Sequence, residues 1–444
     1  MKQLDWDLVF ILEEFQEKLR TFDLVKISLL NKVIRKKLKK TVFSSIKFGD
    51  VILQRLANTN SNEEELFKDT PDSGYNIEYL KNSVIDPFVK ELDAEVDVFS
   101  PYLNSLKFDS LLGTACFLMP LAFHFNQITS LKFYDCTVDL RDFKHLMDRL
   151  TNLEVLVLYS SKMLKLLDYG PIENEIIIPP TLKYLSASRL YIDNASRYSS
   201  PHEYFYDNGI LDSSEVFFVP PKHYPGLKKL HLDYDGDTTE YILEFLISNP
   251  QIACVKLPLR DLYSNGIKAL YENNNINQIT IDPCNFDDDL PFTASVPILK
   301  SLHSLHLTKV YNRSHSKLLD IFNAFSAIRK LEINLSDYDR FFMAQILEKL
   351  TQLKLLVIKT GIFYTLDINL AIYSNIEVLK LHINTDNETS YYLPSPPMKI
   401  KSISISSGKM YKENFNSLKE AYKNNPHWKI DLIGEVISCN ALKD

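Results

Sequence analysis

The sequence predicts an α/β fold: stacked units of roughly 25 residues, each holding one short strand and a helical return, behind a small helical module. Three observations predict it. One short apolar pattern recurs along the chain. Its spacing is nearly constant over roughly three hundred residues, and stripes at helical spacing lie between its copies.

The pattern is an apolar residue, two others, an apolar residue, one other, and a third apolar residue. It runs as Leu103/Leu106/Phe108, Ile128/Leu131/Phe133, Leu153/Leu156/Leu158 and Leu182/Leu185/Ala187. It continues as Leu227/Leu230/Leu232, Ile252/Val255/Leu257, Ile276/Ile279/Ile281 and Leu302/Leu305/Leu307. It ends as Ile328/Leu331/Ile333, Leu353/Leu356/Ile358, Ile376/Leu379/Leu381 and Ile400/Ile403/Ile405. First members recur 23 to 29 residues apart, except for an interval of 45 between Leu182 and Leu227. The last two apolar positions are separated by one residue, so both point to one face of a strand and the residue between them points to solvent. A single unit cannot bury its apolar side alone. Stacked units share a core and pair their strands in parallel. Helical stripes fill the intervals: Phe143, Leu146 and Leu150; Ile242, Phe245 and Leu246; Leu318, Ile321 and Phe325; Phe342, Ile346 and Leu350.

This pattern resembles the leucine-rich-repeat family. The resemblance implies a horseshoe-shaped solenoid with parallel strands on the concave face. The family favours Asn or Cys three residues after the third apolar position. Cys136, Cys284 and Asn384 fall there, while Arg260 and Val310 stand there in other units. The expected organisation is a helical module with a first strand over 1–50, a linker over 51–100, the solenoid over 101–434, and a tail over 435–444. The polar, acidic stretch Asn58 to Ser73 marks the linker. The stretch 191–224, rich in Ser, Tyr, Asn and Pro, reads as a loop inserted into one unit. Residues 415–432 read as a helix and a closing strand that cap the stack.

Residues 4–40 read as compact helices. Leu8, Leu12, Phe15 and Leu19 recur at helical spacing; Asp23 is placed to cap a second helix striped by Leu24, Ile27, Leu30 and Ile34. A basic run follows (Lys32, Arg35, Lys36, Lys37, Lys39, Lys40), and Phe43/Ile46/Phe48 matches the repeat as a first strand. This order resembles an F-box ahead of its repeats: an Asp-Leu pair at Asp23-Leu24, spaced apolar positions at Ile27 and Leu30, then basic Arg35. The sequence departs from the family at Leu4-Asp5, where Leu-Pro is usual, and at Ile34, where Trp is usual. The resemblance implies that Leu8, Leu12, Phe15, Leu24, Ile27 and Leu30 bind a Skp-family adaptor of a cullin-based ubiquitin ligase. The other reading is that these helices only cap the solenoid. The basic run is open to three readings: a solvated helix face, a dock for an acidic adaptor, or a nuclear import signal.

Chemistry of the chain's own finds no support. There is no glycine-rich phosphate loop, GxSxG elbow, HExxH or Cys/His cluster, and the run Asp287 to Asp289 lacks the Gly and distal Glu of a calcium loop. The five cysteines (Cys116, Cys136, Cys254, Cys284, Cys439) form no CxxC pair. A net charge of -7 gives no reason to expect nucleic acid as a partner, and no apolar run reaches the length of a membrane span. The first fifteen residues hold four carboxylates and no secretory signal, so the expected home is the cytoplasm or nucleus. No enzyme activity, cofactor or metal is expected.

Binding is expected on the outward strand positions. Between and beside the apolar pairs stand seven lysines against four acids, counter to the acidic whole. Lys132, Tyr134, Tyr159, Tyr184, Lys229, His231, Lys256 and Lys330 are the residues expected to contact an acidic or phosphorylated protein target. The expected function is substrate recognition for an SCF-type ubiquitin ligase. A non-catalytic scaffold or an inhibitor that engulfs an enzyme is the alternative.

Overall fold

The computed structural model describes residues 26–27, 32–49, 81–167, 176–207, 209–234, 239–262, 266–283, 298–362, 367–383, 389–406 and 411–442. The chain divides into two compact units. The first comprises residues 1–227 with 233–235, the second residues 228–232 with 236–444.

The first unit opens on helix α1 (Lys32–Val42). Ile34 and Leu38, one turn apart, are buried, and Ile27 and Val42 pack against them. Lys32, Lys36, Lys37 and Lys40 stand exposed on the helix. The chain then enters β1 (Ser45–Gly49). A helical stretch, Lys81–Ile85 continuing as α2 (Asp86–Phe99), leads to β2 (Ser105–Leu112). The expected linker over 51–100 is therefore helical from Lys81 onward. It buries Val84, Ile85 and Val96, and Phe88 meets Phe48 edge-on at 6.2 Å. The described parallel ladder begins at β1, well before residue 101: Ile46 pairs with Leu106 and Phe48 with Phe108.

The return from β2 is α3 (Ala115–Leu118), and β3 (Ser130–Asp139) pairs with β2 in register. Asp139 then caps α4 (Leu140–Arg149), accepting from the N–H groups of Arg141 and Asp142. Asp139→Ala should lower stability by about 1 kcal/mol, visible as a lower unfolding midpoint; an unchanged midpoint would show that the cap adds nothing.

Next come β4 (Val155–Tyr159), β5 (Lys162–Leu166), β6 (Tyr184–Ser188) and β7 (Tyr191–Ala195). β4 pairs with β3 and β6 with β4. β5 and β7 extend a second ladder from the end of β3. The chain turns from the first ladder to the second through left-handed residues at one repeat position. Ser110, Asp135, Ser160 and Arg189, each two residues after the third apolar one, have φ of 48 to 56°. The following residues, Leu111, Cys136, Ser161 and Leu190, are all buried. The Cys136 thiol and the Ser161 hydroxyl each donate to the carbonyl two residues back, at 3.0 Å, so the two side chains close the same bend.

The expected loop 191–224 is largely ordered structure. It holds β7, then α5 (Pro201–Tyr206), then β8 (Ser213–Val216), which pairs antiparallel with β7. Tyr198 and Tyr204 pack on Leu164, Leu166 and Ala195. Phe205 lies so close to Gly113 that a Cβ there would meet its ring at 2.5 Å.

The second unit opens on β9 (Lys229–Asp233), whose last residue is counted with the first unit, followed by α6 (Thr239–Ser248), β10 (Cys254–Pro258), α7 (Ile267–Glu272) and β11 (Gln278–Asp282). It continues with β12 (Ser304–Val310), α8 (His315–Ile321), β13 (Lys330–Asp337), α9 (Arg340–Lys349) and β14 (Leu355–Ile362). β15 (Asp367–Asn369), β16 (Val378–Ile383), β17 (Ser390–Tyr392), β18 (Ser402–Ser406) and α10 (Tyr411–Ala421) follow. Strands β9 to β14, then β16 and β18, form one parallel ladder. β15 and β17 form a separate two-stranded pair. The expected helix and closing strand over 415–432 are present, but the expected tail is a strand as well. β19 (Trp428–Ile433) turns back into β20 (Val436–Ala441), and β20 lies between β18 and β19, antiparallel to both. Ile437 and Cys439 alternate into the core, which is why the expected tail is a strand.

Candidate protein-binding faces

In the first unit the outward middle row runs Lys47, Lys107, Lys132, Val157, Ser186 across β1, β2, β3, β4 and β6. Asp109 sits among these cations. It pairs with Lys47 at 2.5 Å and with Lys107 at 2.9 Å. Burial pushes its carboxyl up, but the hydrogen bonds and charges of the two lysines outweigh that and hold it below the usual range. The Lys107 ammonium lies 4.3 Å from the centre of the Tyr134 ring, a cation–π contact. Tyr134 and Tyr159 are neighbours, with ring centroids 6.0 Å apart.

Register and burial narrow this face. Tyr184 is outside the Tyr134–Tyr159 row, because in register it faces Val155 while Tyr159 faces Ser188. Its hydroxyl bonds to Ser186, and burial pushes its pKa up. Val157 and Ser186 point outward yet are buried, since they are short side chains set between longer ones on adjoining strands. The accessible part of this face is therefore Lys47 and Tyr159, which are exposed, with Lys107, Lys132, Tyr134 and Tyr184 half-buried.

In the second unit the middle row runs His231, Lys256, Thr280, His306, Glu332, Val357, Lys380, Ser404. Beside it lie Asn334, Lys359, His382 and Ser406 on one side, and Lys330, Leu355, Val378 and Ser402 on the other. Lys229 is exposed and Lys256 half-buried at the β9–β10 end. Burial, aided by the Lys256 charge and opposed by Asp282, holds the His231 pKa at about 3, so this histidine is neutral at physiological pH.

The charge concentrates farther along. Lys359 pairs with Glu332 at 2.8 Å, and His306 lies 3.7 Å from the same carboxylate. Burial raises Glu332, but the Lys359 bond and the surrounding cations leave it below its ordinary value. His382 is held below its ordinary value by burial, then by Lys359 and Lys380, with Glu332 opposing. Lys330 and Lys359 thus flank a single carboxylate, and Lys380 stands two strands from it, with His382 exposed beside Lys359 and Lys380. Lys359, Lys380 and His382 stand outside the set expected from sequence. Lys256 lies three strands from Lys330, roughly 14 Å at ordinary strand spacing, and so is not part of this cluster.

Of the residues expected to meet an adaptor, Leu8, Leu12, Phe15, Leu24 and Leu30 lie outside the described residues; Ile27 packs on Ile34 and Leu38. The linker stretch Asn58 to Ser73, the run Asp287 to Asp289, Cys284 and Asn384 also lie outside them. Among the described residues, no His, Cys, Asp and Glu side chains gather in a group that could hold a metal ion, and no helix is long and apolar enough to cross a membrane.

No protein-family model matches this chain, and no curated protein matches it in sequence. Among solved structures it is similar to one described as the crystal structure of a TLR13–ssRNA13 complex, at 13% identity and a TM-score of 0.28. That match covers 69% of this chain, and the chain spans 40% of the length of the matched one.

Proposed function

We propose that this chain is a leucine-rich-repeat protein that recognises substrates for a cullin-based, SCF-type ubiquitin ligase. The N-terminal helices bind a Skp-family adaptor, and the outward strand faces hold an acidic or phosphorylated protein target in the cytoplasm or nucleus. The chain performs no chemistry itself; it supplies proximity to a conjugating enzyme. The observation that carries the reading is the join between α1 and β1: an amphipathic basic helix feeds directly into the first strand of an in-register parallel ladder. The cation cluster around Glu332 supports the kind of target.

A second reading has its own support. Ile27 is packed on Ile34 and Leu38, which is what a helix that merely covers the end of a core would do. On that reading the chain is a non-catalytic scaffold or inhibitor. Co-purification with a Skp-family adaptor separates the two. Stoichiometric binding by the wild type, lost in a folded Leu24→Asp/Leu30→Asp variant, is the expected result. A well-folded wild type that captures no adaptor leaves the scaffold reading standing and removes the ligase one.

A further inference from the structure

The strand β19 ends the sheet of the second unit with one edge unpaired among the described residues. Two bonds fix which of its groups are free. The Ala441 N–H donates to the Lys401 carbonyl on the β18 side, and the Leu442 N–H donates to the His427 carbonyl on the β19 side, both at 2.9 Å. Antiparallel strands alternate in this respect. The even-numbered residues of β20 therefore bond to β19, and their partners are Lys429, Asp431 and Ile433. The N–H and C=O groups of Trp428, Ile430 and Leu432 consequently point away from β20.

Exposed edges usually carry devices against pairing: a proline, a bulge, or uncompensated charge. β19 has none of them. Its register with β20 is unbroken from end to end. Its only cation, Lys429, is matched by Asp431 at 3.2 Å, and Ile433 is 67% exposed at its end. The strand is also held in place, because the buried Trp428 indole donates to the Pro394 carbonyl at 2.8 Å.

We infer that two copies of this chain join through β19, antiparallel about a two-fold axis at Ile430. In that register Trp428 faces Leu432 of the second copy, Ile430 faces its own equivalent, and the outward groups of these residues exchange about six hydrogen bonds. On the other face Lys429 lies opposite the second copy's Asp431, twice. Neighbouring registers that also satisfy the alternation are centred on Lys429 or on Asp431. They set lysine against lysine or aspartate against aspartate, so charge selects the register centred on Ile430. A contact of one short strand is small, below the ordinary size of a stable interface, so the dimer is weak and concentration-dependent.

The test is sedimentation equilibrium of the full chain up to hundreds of micromolar, for the wild type, Lys429→Asp and Asp431→Lys. Each variant sets like charges across the axis, and neither disturbs a buried group. The wild type should dimerise, and either variant alone should do so about tenfold more weakly or worse. An equimolar mixture of the two variants should recover the dimer, because opposite charges again meet. A wild type that stays monomeric overturns the inference. So do variants that dimerise as well as the wild type, or a mixture that does no better than its components. The outcome does not depend on adaptor binding.

Discussion

Phe133→Ala is expected to lower the stability of the first unit by about 3–5 kcal/mol, a large fraction of the roughly 5–15 kcal/mol that holds a typical protein folded. Phe133 is buried on β3, stacked on Phe108 with centroids 4.8 Å apart and planes 7° from parallel. Phe143 of α4 meets its other side edge-on at 6.0 Å, and Phe108 in turn lies 5.4 Å from Phe48. Removing the ring opens a void at the centre of a column that ties β1, β2, β3 and α4 together. Repeats depend on their neighbours, so the loss should be local in character. Amides of β2, β3 and β4 should lose hydrogen-exchange protection, while those of β12 to β14 keep theirs. Tyr159→Ala, at a half-exposed position, is the control and should cost much less. A Phe133→Ala protein within 1 kcal/mol of the wild type would mean that the column carries little of the stability.

The strands were legible because one apolar pattern does two jobs. Every Leu, Ile, Val, Phe or Ala assigned to its three apolar positions is buried, from Leu103/Leu106/Phe108 to Ile400/Ile403/Ile405. Alternation sets the strand face, and the repeat spacing sets which strand comes next. What was not legible depends on pairings between distant segments. β5 and β7 have no pattern of their own and exist because each finds a neighbour beyond the bend of the first ladder. The bend itself was hidden. Ser110, Asp135, Ser160 and Arg189 adopt left-handed backbone that glycine would announce, and none is glycine. The bend's third residue explains the irregular Asn/Cys position as well. It is a buried site, filled by Leu111 and Leu190 where packing suffices and by Cys136 or Ser161 where a side chain bonds backward.

The candidate site was legible residue by residue and illegible as a group. Lys330 could be placed on an outward position from its spacing alone. So could Lys359 and Lys380, but not their meeting, which comes only through the in-register pairing of β13, β14 and β16. His231, expected to bind, is held neutral by burial, while His382, left out, is exposed beside Lys359 and Lys380, where a bound anion would offset the lysines that keep it neutral.

Lys359→Glu/Lys380→Glu should weaken capture of acidic and phosphorylated peptides by about a hundredfold, since each charge-assisted bond contributes roughly 1.5–3 kcal/mol. Lys229→Glu, on β9, should leave capture nearly unchanged. An array of acidic, phosphorylated and unmodified peptides probed with the full chain gives both results directly. Protons supply an independent readout. His382 is held below its ordinary pKa by burial and by Lys359 and Lys380, with Glu332 in partial opposition. An anion seated between the lysines cancels their effect and raises that pKa, so binding takes up a proton. Affinity for a carboxylate-rich peptide, whose own charge is constant near neutrality, should therefore rise as the pH falls from about 8 to about 6. His382→Gln should flatten that dependence while leaving affinity at the alkaline end intact. Equal capture by the double lysine variant, or the same pH slope in His382→Gln, would move the target away from the β13–β14–β16 face.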